Sequence, residues 1–66
     1  MYAIINRKTG KFICGTDYRY NPPHQITSEE RLITYQSEKA AELDLRCRRA
    51  SHSKYRIVKI EVKVLE

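Results

Sequence analysis

The densest group of chemically active side chains lies between residues 45 and 56, in the segment LRCRRASHSKYR. Five of its twelve residues are Lys or Arg, none is acidic, and Cys47 and His52 lie among them. Such a segment is typical of an anion-binding surface, of part of a metal site, or of the cationic end of a helix. The spacing of the residues separates these alternatives.

The cysteines and histidines lack the spacing of a metal site. Structural zinc sites draw ligands in close pairs along the chain, because a single turn must present two ligands at once. Cys14, Cys47, His24 and His52 form no such pair. Cys47 is also predicted to face the core. We therefore expect no metal and no cofactor.

Two of the five basic side chains have acidic partners one helical turn earlier. Glu42 precedes Arg46 and Asp44 precedes Arg48, both at the spacing and in the order that stabilise a helix. This pattern favours an ordinary solvated helix end. The unmatched cations leave a functional contact with an anionic partner as the alternative.

A loop earlier in the chain has similar chemistry, because it interleaves aromatic and cationic side chains. Aromatic rings that stack on bases, among Arg and Lys, are what single-stranded nucleic acids require. No recognition-helix, zinc-finger, KH or RRM motif accompanies them. The predicted partner-binding residues are Arg49, Lys54, Arg56, Tyr18, Arg19, Tyr20 and His24.

Catalysis is not expected from this sequence. It contains no glycine-rich phosphate loop, no HExxH motif and no nucleophile elbow. A chain of 66 residues also has little room for a desolvated catalytic cleft. We predict that the protein is not an enzyme.

Length and composition indicate one small domain over residues 1–66. The net charge is +5, concentrated in the last third of the chain, and such a surface attracts nucleic acid or acidic proteins. The apolar runs are too short for a signal or membrane segment. We expect a cytoplasmic protein with reduced thiols, the alternative being one Cys14–Cys47 bridge.

The elements that position these residues begin with a β-hairpin. Residues 2–5 and 11–14 are its strands, and Gly10 supplies the left-handed conformation that the turn needs. Residues 16–25 are predicted to form a long loop, because Pro22 and Pro23 lack backbone donors.

The segment after this loop is ambiguous. Thr27 and Glu30 fit a capping box, whereas residues 32–35 are rich in strand formers and Ser37 offers a second helix cap. We predict a turn at 27–30, a third strand at 31–36 and a helix at 38–49. The alternative is one long helix over 28–50.

The helix is predicted to pack through one face. Ala40, Leu43, Cys47 and Ala50 recur at spacings of three and four, which predicts that they face the core. Leu45 then lies on the opposite face, lightly covered or in a contact surface.

The last stretch, residues 54–66, alternates apolar and polar side chains with the period of a strand that buries one face. A strand longer than its neighbours needs another element or a second protomer to cover it. The predicted interface residues are Val58, Ile60, Val62, Val64 and Leu45.

Together these elements predict a small α+β fold of order β-β-β-α-β, with one helix packed on an antiparallel sheet. The segment YQSEKAA at 35–41, the polar helix and the valine-rich last strand resemble the small accessory proteins of bacteriophages and prophages. That resemblance implies action by binding, as in inhibitors of host defence, some of which are anti-CRISPR proteins. It carries over no catalytic residue, and the +5 charge does not fit inhibitors that mimic DNA.

The expected function is therefore a non-enzymatic binding protein that docks on a partner protein or nucleoprotein. The first alternative is direct binding of DNA or RNA through the basic surface. The second is a homodimeric assembly module that pairs through the last strand.

Overall fold

The computed structural model describes residues 1–61. Its elements are β1 (Tyr2–Asn6), β2 (Phe12–Asp17), β3 (His24–Ser28), α1 (Glu38–Cys47) and β4 (Tyr55–Lys59). The four strands form one sheet in the order β3-β2-β1-β4, and every pair of neighbours is antiparallel. The predicted α+β fold of order β-β-β-α-β is confirmed. Among the described residues, no helix has the length and apolar character needed to cross a membrane.

The predicted N-terminal hairpin is confirmed. The Asn6 side chain accepts hydrogen bonds from the Lys8 and Thr9 amides, at 2.8 and 3.0 Å, and this starts the turn. Gly10 adopts φ 73°, the left-handed conformation expected of it, and its amide reaches the Asn6 carbonyl at 2.9 Å. The turn therefore closes through local hydrogen bonds.

The third strand lies earlier in the chain than predicted. β3 occupies residues 24–28, which the sequence pattern assigned to the end of the loop and to a turn. The loop at 16–25 is consequently shorter, because β2 continues to Asp17. Pro22 and Pro23 interrupt only the connection between the two strands. Because β3 is an edge strand with little to bury, it carries polar side chains such as Gln25 and lacks the apolar pattern that predicts a strand.

The predicted strand over residues 31–36 is wrong, as is the alternative helix over 28–50. Tyr35 forms an isolated bridge with Tyr2 through two backbone hydrogen bonds of 2.8 Å, and the Ile33 amide donates to the Ile13 carbonyl of β2 at 3.4 Å. β2 lies between β3 and β1, and β1 lies between β2 and β4, so this segment finds only isolated hydrogen bonds with the sheet. The Ser28 hydroxyl accepts from the amides of Glu30 and Arg31, which makes a turn and not a helix start.

The helix begins where the sequence indicates. Ser37 is extended, at φ −138° and ψ 157°, and its hydroxyl accepts from the Ala40 amide at 3.1 Å. This is the N-cap geometry that satisfies one free donor of the first turn. The helix ends at Cys47, two residues before the predicted end.

The buried face of the helix is not the predicted one. Ala41 and Leu45 are fully buried, whereas Leu43 is 53% exposed and Cys47 is exposed. Leu45 is therefore a core residue and not part of a contact surface, which corrects both its predicted position and its predicted interface role. Charged residues that pair with each other border the buried face, so its apolar stripe is narrow. The 3,4-spacing of Ala40, Leu43, Cys47 and Ala50 therefore predicted the wrong face.

The core lies between this helix face and one face of the sheet. Its fully buried side chains on the sheet side are Ile4 and Ile13, which meet Ala41 and Leu45. Half-buried side chains close the core around them: Tyr2, Tyr35, Ala50, Tyr55 and Ile57. Only Ala50, at the edge of this core, matches the predicted face.

β4 is shorter in the described chain than the predicted strand over 54–66. It pairs with β1 along its whole length, from Tyr2 opposite Lys59 to Asn6 opposite Tyr55. Tyr55 and Ile57 pack on the helix side of the sheet. Val58 and Ile60 are half-buried, and strand alternation places Val58 on the other face, opposite Ala3. Val62 and Val64 lie outside the described residues.

The helix face can be tested with a pair of leucine variants. We expect Leu45→Ala to lower the free energy of unfolding by about 2–5 kcal/mol, because it leaves a cavity at a fully buried site. Leu43→Ala, at an exposed site, is expected to change it by less than about 0.5 kcal/mol. Urea denaturation of both variants makes the comparison, and the opposite ranking would contradict this helix orientation.

Candidate functional site

A network of polar side chains fixes the end of the helix against the sheet. The Arg48 guanidinium donates to the Asp44 carboxylate at 2.7 Å and to the Thr16 hydroxyl at 2.9 Å. The Thr16 hydroxyl donates to the side-chain oxygen of Gln25 at 2.7 Å, and the side-chain amide nitrogen of Gln25 donates to the Arg48 backbone carbonyl at 2.7 Å. Both the side chain and the backbone of Arg48 are therefore bound to neighbouring strands.

Tyr35 joins the network from the other side, where its hydroxyl donates to Asp44. Burial, followed by this hydrogen bond and the nearby negative charge, raises the pKa of Tyr35 to about 12. Burial opposes ionisation of Asp44, but the hydrogen bonds from Tyr35 and Arg48 outweigh it and lower its pKa. At neutral pH the tyrosine is therefore neutral and the carboxylate is ionised.

The helix ends in a Schellman motif just beyond this network. The Ala50 amide donates to the Leu45 carbonyl at 3.1 Å and the Arg49 amide to the Arg46 carbonyl at 3.0 Å. The motif requires a left-handed residue after the cap, and Arg49 takes that position with φ 56°. Glycine is the residue this position favours, because a side chain there is strained.

A cleft of about 500 Å³ opens beside this turn. Its walls are residues 22–25 of the connection into β3, residues 49–51 after the helix, and residues 54–55 at the start of β4. Within the described chain, the lining includes two basic side chains, those of Arg49 and Lys54, together with His24, and no acidic side chain. The cleft can therefore receive an anionic group.

A second cavity, of about 340 Å³, lies along the hairpin turn. It is lined by residues 6–9 and by Ser53 and Lys54. Lys54 borders both cavities. Arg7 and Lys8 extend the cationic surface, and the Arg7 guanidinium also donates to the His52 carbonyl at 2.9 Å.

His24, which lines the cleft, belongs to a stacked pair of aromatic rings. The Tyr20 ring stacks on the His24 ring, with centroids 3.9 Å apart and an interplanar angle of 4°. Tyr20 is 49% exposed. The pair therefore forms an exposed aromatic surface beside the cations of the cleft.

The structure brings together four of the seven predicted partner-binding residues: His24, Arg49 and Lys54 in the cleft, and Tyr20 on its rim. Arg19 lies elsewhere, bound to the Asp17 carboxylate at 2.7 Å, and this hydrogen bond lowers the pKa of Asp17. Tyr18 is 63% exposed and does not line the cleft. Arg56 is exposed on β4, and strand alternation directs it away from the face that carries Tyr55.

Both predicted ion pairs on the helix are confirmed. Glu42 and Arg46 approach to 3.5 Å, and Asp44 and Arg48 to 2.7 Å. His52 also contacts Glu42, at 2.5 Å. Within residues 1–61, no ion pair involves Arg49, Lys54 or Arg56.

Cys14, in β2, and Cys47, at the helix end, are free thiols. In the described part of the chain, no three His, Cys, Asp or Glu side chains come together as metal ligands would. The expectation of no metal and no cofactor stays a prediction.

Comparison with known proteins finds no match to this chain among protein-family models, curated proteins or solved structures.

Several residues of the site carried no signal in the sequence. Thr16 and Gln25 are ordinary polar residues, and their bonds to Arg48 follow from the position of β3, which was predicted incorrectly. For Tyr55 the sequence predicts only a place in the last strand. In the sequence Pro22 and Pro23 indicate only a loop, whereas in the structure they also form a wall of the cleft.

The network can be tested with two arginine variants of the same helix. Arg48→Met is expected to lower the free energy of unfolding by about 1–3 kcal/mol, because it leaves Asp44 and Thr16 without their charged partner in a half-buried place. Arg46→Met removes a pair whose arginine is 71% exposed, and we expect a change below about 1 kcal/mol. Thermal or urea denaturation distinguishes them, and equal effects would show that the network does not hold the helix.

The raised pKa of Tyr35 predicts a particular alkaline titration. Because the folded pKa lies above the ordinary value of 10.0, the stabilisation is complete below that pH and is lost as the pH rises towards about 12. In a tyrosinate absorbance titration of the five tyrosines, one is expected to ionise late, and Tyr35→Phe is expected to remove that component. A wild-type protein whose tyrosines all ionise together near pH 10.0 would contradict the network.

Proposed function

We propose that this chain is a non-enzymatic binding protein that docks on an anionic surface of a partner protein or nucleoprotein. The cleft between the helix end, the β2–β3 connection and β4 is its contact site. The contact residues are Arg49, Lys54 and His24, with Tyr20 at the rim.

The observation that carries this proposal is the conformation of Arg49. A non-glycine residue at φ 56° is strained, and such strain persists where the surroundings enforce it or where function needs the side chain. The Schellman bonds enforce the backbone here, but they would form equally well around glycine. An arginine at this position gives the cleft a cation at the expense of stability.

The charges of the cleft support the same function. Arg46 and Arg48 have acidic partners on the helix, whereas Arg49 and Lys54 have none within residues 1–61. Cations without partners that line a concave surface raise the local concentration of anionic groups and steer their approach. A cleft of about 500 Å³ is large enough for one side chain or one nucleotide.

The proposal includes the role that the resemblance to phage accessory proteins implies, namely inhibition or modification of host machinery by binding. The resemblance around residues 35–41 concerns proteins that inhibit or modify host machinery by binding, in the cytoplasm and without catalysis. A cationic cleft fits an inhibitor that occupies an acidic surface of its target, and it does not fit one that mimics DNA.

Dimerisation through the last strand is a less favoured function than binding through the cleft. β4 is at one edge of the sheet, where a second copy could pair. However, Arg56 and Lys59 lie on that strand and Lys54 precedes it. Cations on an edge strand oppose pairing with an identical strand, because like charges then meet.

The proposal predicts that partner capture depends on Arg49 and Lys54. In affinity capture from a lysate of the source organism, the wild-type protein is expected to retain a partner. The variant with both Arg49→Gly and Lys54→Gln is expected to lose most of it. Lys39→Gln, an exposed lysine at the other end of the helix, serves as the control and is expected to retain it. If the double variant captures as much partner as Lys39→Gln does, the cleft is not the contact site.

Arg49→Gly also provides a check on folding. Its free energy of unfolding is expected to stay constant or rise by up to about 1 kcal/mol, because relief of the left-handed strain offsets the extra freedom of the unfolded chain. Loss of capture by a protein at least as stable as wild type then reports on contact and not on unfolding. Nuclease treatment of the lysate separates a protein partner from one held through nucleic acid.

A further inference from the structure

We infer that the anionic group received by the cleft is a phosphodiester of a single-stranded nucleic acid. A phosphate would lie against Arg49 and Lys54, and a neighbouring base would stack on the Tyr20–His24 pair. This inference rests on the proposed function and names the chemical class of its ligand.

The first reason is the shape of the cationic surface. Lys54 borders both the cleft and the second cavity, so the cations continue from Arg49 past Lys54 to Arg7 and Lys8. An isolated anion needs only one such pocket. A continuous series of cations along two adjoining cavities matches a chain that carries one charge at each repeat, as a nucleic acid does.

The second reason is the aromatic pair beside the cations. Tyr20 and His24 are held parallel at 3.9 Å, and both are exposed. Stacking on exposed aromatic rings is how proteins hold unpaired bases whatever their sequence, because every base has a π-face. An acidic peptide makes no comparable use of these rings, so the pair favours nucleic acid over an acidic protein segment.

The third reason concerns strandedness. A base can stack on a side chain only when it is not stacked within a duplex, so an aromatic platform selects single strands. The cleft lies in a recess between a turn, a loop and a strand end.

The test is fluorescence anisotropy with a labelled oligothymidine of about ten nucleotides, a length within the site sizes known for single-strand binding domains. The comparison probes are the same strand annealed to its complement and a labelled polyglutamate peptide of matched charge. We expect the single strand to bind at low salt at least several-fold more tightly than either.

Salt dependence and variants identify the contacts. The slope of log affinity against log salt is expected to fall by about 0.7 for each cation removed in Arg49→Gly and Lys54→Gln. Lys39→Gln is expected to leave the slope unchanged. Tyr20→Ala is expected to weaken binding by about five-fold or more, whereas Tyr20→Phe keeps the stacking ring and stays within about two-fold of wild type.

Two outcomes would overturn the inference and leave the proposed function standing. One is polyglutamate binding as tightly as the oligonucleotide, with dependence on Arg49 and Lys54 but not on Tyr20. The other is no measurable oligonucleotide binding at low salt while nuclease-resistant partner capture still depends on the two cations. Oligonucleotide binding that depends on Tyr20 but not on Arg49 or Lys54 would also contradict it.

Discussion

The position of the candidate site depends on how Arg48 is held. Its guanidinium bonds to the helix through Asp44 and to β2 through Thr16, while its carbonyl accepts from Gln25 of β3. The helix and two strands that precede it in the chain therefore meet at one residue. Because the next residue is Arg49, the network also fixes where the helix stops and where the cleft begins.

This arrangement connects the core to the site. Leu45 is buried under the helix, and its carbonyl accepts the Ala50 amide that closes the turn after Arg49. Packing of the core, closure of the turn and the left-handed backbone of Arg49 are thus linked within six residues. The site has little freedom to move without disturbing the core, and a rigid site loses less entropy when it binds a partner.

The sequence predicted the order of elements, the hairpin, the start of the helix and both helical ion pairs. These features depend on local chemistry: Gly10 in a turn, Ser37 at a cap, acidic and basic residues one turn apart. It did not predict which helix face is buried, because Asp44 and Arg48 border that face and leave only Ala41 and Leu45 as its apolar signal. Nor did it predict β3, whose polar residues gain their partners only after β2 is in place.

The site was predicted in part for the same reason. Arg49 and Lys54 were identified because they lack local partners, a property visible in the sequence. Their meeting with His24 depends on β3 lying beside β2, which brings the first residue of β3 to the helix end. Arg19 and Arg56 had similar local chemistry, but the Asp17 hydrogen bond and strand alternation place them elsewhere.

The order of strands has a consequence for folding kinetics. β1 lies in the interior of the sheet and pairs with β4, so Tyr2 meets Lys59 across almost the entire described chain. The β1–β2 hairpin closes over a few residues, whereas the β1–β4 pair must first close a loop that contains every other element. Closing a loop of that length costs conformational entropy before any β1–β4 contact can offset it. Proteins rich in such distant pairs therefore fold slowly for their size. The local pairs β1–β2 and β2–β3 and the helix are the elements able to form early. The side of the core that Tyr55 and Ile57 cover stays open until β4 arrives, so the rate of β4 docking sets the time for which that apolar surface is exposed to other chains.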